Sequence, residues 1–197
     1  MKNNIQKILF ILLVFNLINL NALSQEQFNF DITEIQILEK GNLFIGDKKG
    51  IITTDNNIII NSNRFEYDKK ENVLKTFGNS KLNDLNNKII ITADRSTYFK
   101  NEEKILIEGN SKAINNDGII ITADEFEYDK LKNILKANGD VIVEDVVKEY
   151  TIYTDNIVYL KNSEIINTFG NSKGIDQDGQ TITAVEFEYD KLKNILK

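Results

Sequence analysis

The sequence predicts an all-β protein, a solenoid-like stack of repeats about 30 residues long. Three observations carry that prediction. One block of sequence recurs at a nearly fixed spacing. Within each block, apolar residues alternate with period two. Val, Ile, Thr, Tyr and Phe dominate the alternating stretches, as pleated, half-buried surfaces prefer.

The recurrence is read from five aligned lines. IIINSNRFEY ends at Tyr67, IIITADRSTY at Tyr98, IIITADEFEY at Tyr128, YTIYTDNIVY at Tyr159 and QTITAVEFEY at Tyr189. Successive tyrosines are 31, 30, 31 and 30 residues apart, and Gly78, Gly109, Gly139 and Gly170 each follow their tyrosine by 11 residues. TADEFEYDKLKNILK (122–136) returns at 183–197 with Val185 in place of Asp124, and TFGNSK occurs at 76–81 and again at 168–173.

Each unit reads as strand, corner, strand, turn, strand. In ITADEFEYD the apolar residues are Ile119, Ile121 and Ala123, then the phase shifts to Phe126 and Tyr128. A phase break inside a strand pattern predicts a bulge or corner at Asp124-Glu125. Asp129-Lys130-Leu131-Lys132-Asn133 is a polar turn with Asp and Asn at its ends. Leu135, Ala137, Gly139, Val141 and Val143 then alternate with polar or outward residues, a second strand passing through the glycine. Glycine inside a strand marks a bend or the close approach of another backbone or ligand. Stacked units share one apolar interior. At one strand spacing per unit, five units predict a stack about 25 Å long. Nothing in the sequence protects the edges: it has no proline, so the end strands are either covered by irregular structure or meant to pair.

The 197 residues suffice for one domain with a sizeable core. There is no Cys and no His, which excludes cysteine nucleophiles, histidine bases, disulfides, lipidation at a cysteine, and the usual zinc and haem ligands. A net charge of -6 argues against nucleic acid as a partner. No cofactor, metal site or catalytic residue is expected.

Residues 1–24 read as a secretory signal peptide. Lys2 and Lys7 precede the apolar run Ile8–Phe15, and Ala22-Leu23-Ser24 is a small-x-small cleavage site that leaves Gln25 first. An uncleaved membrane anchor is the alternative, for which the run, broken by Asn16 and Asn19, is short. Residues 25–197 then form the repeat domain.

The motif ITADEFEYDKLKNILKANGD (121–140), with its tyrosine and glycine kept in register through four units, resembles the OstA-like β-jelly-roll family of lipopolysaccharide transport. The resemblance covers about residues 28–197. Within that family the opening segment FNFDITEIQILEKGNLFIGDKKGIITTDNNIII (28–60) is more like the periplasmic domain of LptD-type assembly proteins than like LptA. Two features depart from the LptD type. Nothing here can form an outer-membrane barrel, and no Cys is present to tie such a domain to one. The repeat also stops at Leu196-Lys197, before its next glycine, so either the sequence is a fragment or its last strand is short.

The resemblance implies an open, twisted β-jelly-roll in the periplasm, associated with the outer membrane. Its groove would shield the acyl chains of lipid A. Exposing an acyl chain costs ~0.8 kcal/mol per CH₂, or roughly 10 kcal/mol for a chain of about a dozen methylenes. Implied partners are lipopolysaccharide, other OstA-like jelly-rolls joined head to tail through sheet edges, and an outer-membrane β-barrel component. Such work needs no enzyme chemistry.

Candidate lipid-contacting residues are the inward positions Ile89, Ile91, Ile105, Ile107, Ile119, Ile121, Leu135, Ala137, Val141 and Val143, with Ala113 in an equivalent place. Ordinary core packing explains the same pattern. The aromatic ladder Phe65/Tyr67, Tyr98, Phe126/Tyr128, Tyr159 and Phe187/Tyr189 is read as structural cross-strand pairing ahead of a ligand platform. Asp94, Asp124 and Asp155, with Asn63 in the first unit, are read as corner residues bonded to their own backbone, ahead of Ca²⁺ or catalytic carboxylates. Lys69, Lys70, Lys130, Lys132, Lys191 and Lys193 are read as solvated turn residues, ahead of contacts to lipid phosphates.

Two other functions compete. A β-solenoid surface or adhesin segment predicts a filled, polar interior. A carboxylate enzyme on a repeat scaffold predicts one unit that breaks the pattern with paired acids; Glu144-Asp145, in a stretch (140–150) read as linker, is the candidate, and it looks like ordinary polar loop.

Overall fold

The computed structural model describes residues 28–197. The expected signal peptide lies outside the described residues. The described residues form seventeen strands in one antiparallel sheet. They are β1 (Asn29–Ile32), β2 (Gln36–Leu38), β3 (Leu43–Gly46), β4 (Gly50–Thr53), β5 (Ile58–Ser62) and β6 (Arg64–Asp68). The long strands follow: β7 (Val73–Asp84), β8 (Ile89–Phe99), β9 (Lys104–Asn115), β10 (Ile119–Asp129), β11 (Ile134–Asp145) and β12 (Tyr150–Leu160). The chain ends with β13 (Ile165–Phe169), β14 (Ser172–Ile175), β15 (Thr181–Ala184), β16 (Glu188–Asp190) and β17 (Ile195–Leu196).

The sheet is folded in half along a crease, so each long strand contributes to two layers. One layer runs β1–β4–β5 through the first or last halves of β7–β12 to β14–β15. The other runs β2–β3–β6 through the remaining halves to β13–β16–β17. The result is an open β-jelly-roll, as the sequence predicts. Its length is a correction. Each repeat supplies two bent strands, a complete hairpin, and not one layer of a coil. The second layer is therefore twelve strands wide and about 50 Å long at the usual strand spacing.

The crease is where the sequence places its corner. β10 and β11 shift register between Thr122 and Glu125, and β11 and β12 between Asn138 and Val141. Inward parity on β10 changes across this point, from Ile119, Ile121 and Ala123 to Phe126 and Tyr128. On β11 an extra residue is absorbed at Gly139-Asp140, both at positive φ (79° and 42°). The crease aspartates do not turn back on their own backbone. Asp94, Asp124 and Asp155 lie against Gly109, Gly139 and Gly170, where a β-carbon would have no room. Asn110 and Asn171 donate to Asp94 and Asp155 at 2.8 and 3.1 Å. The glycine is needed twice over, for its positive φ and for this approach.

A bulge leaves ladder groups without strand partners, and buried hydroxyls supply them. Ser62 donates to the Phe77 carbonyl at 2.9 Å, and the Ser96 and Phe187 amides donate to Thr76 and Thr168 at 3.2 and 2.8 Å. Thr76, Ser80 and Ser96 are mutually hydrogen-bonded, and Ser172 bonds both Thr154 and Thr168. A hydroxyl stripe therefore follows the inside of the crease.

Both ends of the sheet are blunt. The edge strands β1, β2, β15 and β17 are two to four residues long, and short edges limit unwanted pairing. At the N-terminal end Phe28 enters the space between the layers, 4.9 Å from the Tyr67 ring and 5.8 Å from Tyr98. Phe30 and Phe44 stack beside it.

Candidate functional site

The candidate site is the space between the two layers. All ten residues expected to face inward do so. Ile89, Ile91, Ile105, Ile107, Ile119, Ile121, Leu135, Ala137, Val141 and Val143 are each at most 2% exposed and belong to one core, together with Ala113. They come together because the crease changes the inward parity of β8 and β10 at the point where the chain passes from one layer to the other. The interior is apolar along its whole length except at its two long margins, the hydroxyl stripe at the crease and a polar seam opposite.

The seam was not foreseen. Reverse turns of the first layer meet reverse turns of the second, and polar side chains tie them together. Tyr128 donates to Asp84 at 3.0 Å and Tyr189 to Asp145 at 2.9 Å. Asn115 donates to the Tyr159 hydroxyl at 2.9 Å, which in turn donates to Glu164 at 2.6 Å. Asn56 and Tyr98 both donate to Glu103, at 2.9 and 2.6 Å. Lys100 lies 2.7 Å from Glu103 and 3.6 Å from Asp55. Lys191 donates to the Asp117 carbonyl at 2.6 Å. Among the described residues, Asn133 Oδ1, in the same turn as Lys130, is the buried side-chain polar atom left without a hydrogen-bond partner, so the seam is satisfied but for this one atom.

The seam repeats every second unit. Asp84 and Asp145, Tyr98 and Tyr159, Glu103 and Glu164, Tyr128 and Tyr189, and Lys130 and Lys191 are each 61 residues apart. The near-identity of 122–136 and 183–197, also 61 apart, was the sequence signal for this double period. Reading it required knowing which turns face each other.

Burial sets the electrostatics. The phenols of Tyr128, Tyr159 and Tyr189 are pushed well above the usual tyrosine range, chiefly by desolvation and then by the carboxylates they bond. The aromatic ladder is thus structural, each ring in the core and each hydroxyl at the seam. Lys161, with its ammonium 5.8 Å from the Tyr159 ring centre, is lowered by burial.

Two sequence expectations change here. Lys130 and Lys191 are seam residues with side chains only 10% and 11% exposed, whereas Lys69, Lys70, Lys132 and Lys193 are solvated as expected. The stretch 140–150 is not a linker: it is the end of β11 and its turn, and Asp145 is a seam residue. No group of acidic residues among the described residues could hold a metal ion.

No profile of a known protein family matches the sequence, and no curated protein aligns with it. Solved structures do resemble the fold. One is the crystal structure of LptH, the LptA-homologous periplasmic component of the conserved lipopolysaccharide transport device from Pseudomonas aeruginosa. The TM-score is 0.51 at 17% identity, over 55% of this chain and 80% of LptH. The likeness is one of fold, the β-jelly-roll.

Proposed function

We propose that this chain is a periplasmic lipopolysaccharide-binding and bridging module of lipopolysaccharide transport and outer-membrane assembly. In this reading residues 1–24 are a cleaved signal peptide and 25–197 the working domain. The observation that carries it is the continuous apolar interior, about 50 Å long, walled by two layers whose strand edges face outward at both ends. A space of that shape shields acyl chains without any chemistry. The jelly-roll likeness to LptH supports the same reading. Lipid A chains lie among Ile121, Leu135, Val141 and their equivalents. Other OstA-like jelly-rolls extend the path by pairing with the end strands, and an outer-membrane barrel component receives it. The opening segment 28–60 favours the LptD type within that family.

The interior is closed in the form described, so carriage requires the seam to part. That closure favours a second reading, a structural β-stack that carries no lipid. Photo-crosslinking separates the two. Probes at Ile121, Leu135 and Val141 are expected to capture lipopolysaccharide, and outward controls at Lys136 and Asp140 are not. A folded protein with no capture at any inward probe leaves only the structural reading.

A further inference from the structure

The outer face carries a regularity of its own, and it is broken at one place. A row of register partners crosses the first layer beside the crease: Asn61, Lys81, Thr92, Lys112 and Thr122. A small polar residue alternates with lysine. The row then breaks at two neighbours, Ile142 and Tyr153, before Lys173 and Thr183 resume it. The residue after the crease glycine departs in the same unit: it is Asn79, Asn110 and Asn171 elsewhere, but Asp140 here. Repeats are held together by their shared interior, so packing does not demand three outward exceptions side by side.

The exceptions share one site. Ile142 and Tyr153 pair across β11 and β12, and with Asp140, Asp155 and Asn171 they line a shallow depression of about 250 Å³. Tyr153 is 43% exposed. Within two residues of Ile142 and of its register partners Thr122 and Tyr153, the charged side chains are Asp124, Asp140, Glu144 and Asp155, all exposed acids. The nearest bases of the row, Lys112 and Lys173, stand one strand further out on either side, opposite Thr122 and Tyr153. In the adjoining units Asn110 and Asn171 donate to the crease acids Asp94 and Asp155, whereas the Asp140 carboxylate has no hydrogen to give Asp124. The gap therefore lacks both the lysine and the amide that the other units supply, and carries an added carboxylate.

We infer that this gap binds an elongated organic cation, a polyamine. One ammonium takes the place of the missing lysine against the Tyr153 ring, whose face attracts a cation. Its methylenes lie on Ile142 and the ring edge, as a lysine stem covers apolar surface. Further ammonium groups meet the carboxylates of Asp124, Asp140 and Asp155, which follow on adjoining strands about 4.8 Å apart. No group of acids among the described residues could hold a metal ion, so these carboxylates suit a chain that meets them in turn and not one compact ion. Lys112 and Lys173 bound the gap and oppose a broad basic protein face, but leave room for a slender chain between them. The site lies outside the sheet, so its occupancy does not depend on acyl chains entering the interior.

The test is a nuclear magnetic resonance titration of the full, isotopically labelled chain with spermidine. Expected are saturable amide shifts at 122–124, 139–142 and 153–155, and none around Asp94, where the asparagine and both flanking lysines are kept. Ile142→Lys restores the row on the outer face and is expected to lower the affinity about tenfold or more, because like charges then meet. Tyr153→Thr and Asp140→Asn, each the residue found in other units, are expected to lower it about two- to fivefold. Unshifted amides elsewhere in each variant report that the fold is kept. Equal shifts around Asp94, the same shifts with magnesium chloride at matched ionic strength, or unchanged affinity in Ile142→Lys would overturn the proposal. So would binding of a tetralysine peptide without binding of spermidine, which would assign the gap to a protein partner.

Discussion

Tyr128 donates its phenolic hydrogen to Asp84, 3.0 Å away and 44 residues earlier in the chain. Tyr189 stands in the same relation to Asp145, also 44 residues earlier, at 2.9 Å. These bonds join the two layers opposite the crease, and they define the seam as a built feature and not a chance contact of turns.

Removing one such bond has a definite cost. Tyr128→Phe leaves a buried carboxylate short of a donor and is expected to lower stability by about 1.5–3 kcal/mol. Tyr67→Phe, whose partner Asn72 Oδ1 is neutral, is expected to cost about 1 kcal/mol. Urea midpoints with unchanged slopes test the pair, and equal losses would contradict a charged seam.

The crease glycine is tested by a matched comparison. Gly139 has φ 79° with Asp124 against it, while Gly179 has φ 76° with nothing within 4 Å. Gly179→Ala is expected to cost about 1–2 kcal/mol for the left-handed backbone alone. Gly139→Ala is expected to cost about 1 kcal/mol or more beyond that, from overpacking. Because the Asp124 β-carbon itself lies 2.9 Å from the added methyl, the double variant with Asp124→Gly should return most of the excess and Asp124→Ala only part of it.

Phe28 closes the N-terminal end of the interior with Tyr67 and Tyr98 around it. Phe28→Ala is expected to destabilise by about 3 kcal/mol, at the low end for buried aromatics because the site borders the sheet end. Hydrogen exchange should report faster opening of β6 and β8 than of β11. Uniform exchange would mean that the aromatic end is not a separate unit of stability.

Lys161→Met removes a buried ammonium and is expected to raise stability by about 1 kcal/mol at neutral pH. The sign follows from its depressed folded pKa. Below that value the folded state holds a charge it disfavours. As pH rises from the folded pKa towards the ordinary 10.5, the unfolded chain binds more protons and the wild type gains stability. The advantage of the variant should therefore shrink as pH rises through this window, and an advantage constant with pH would assign it to packing alone.

The seam phenols act with the opposite sign. Their folded values lie above the ordinary 10.0, so they contribute stability that is fully present below pH 10 and lost as pH rises beyond it. With the exposed Tyr153 replaced by Phe, tyrosinate absorbance of the seam phenols should appear in one cooperative step with unfolding. A gradual titration of the native protein would show that the phenols reach solvent.

The strands, the crease and the inward residues were legible in the sequence because each is a local pattern. Ile119, Ile121 and Ala123 followed by Phe126 and Tyr128 encode both a strand and the point where it bends. The tyrosine-to-glycine spacing of 11 residues carries that bend from unit to unit. Backbone geometry ties alternation to burial, so the ten inward positions needed no tertiary information.

The seam was decided by the tertiary structure alone. Asp84, Asn115 and Asp145 look like ordinary turn residues because each also accepts amides of its own turn, and Lys130 and Lys191 look like solvated lysines. Their hydrogen-bond partners across the seam lie in other repeats, 44 to 74 residues away. They meet only when the sheet folds in half and brings the turns of one layer onto those of the other. The length of the stack was hidden for the same reason, because the two or more strands expected of each unit could lie in one layer of a coil or side by side in the sheet. A period of about 30 residues is compatible with one coil or one hairpin, and the pairing of β10 with both β9 and β11 makes it a hairpin. Periodicity fixes which side chains turn inward, whereas the long-range closure of the sheet fixes what they enclose and what holds it shut.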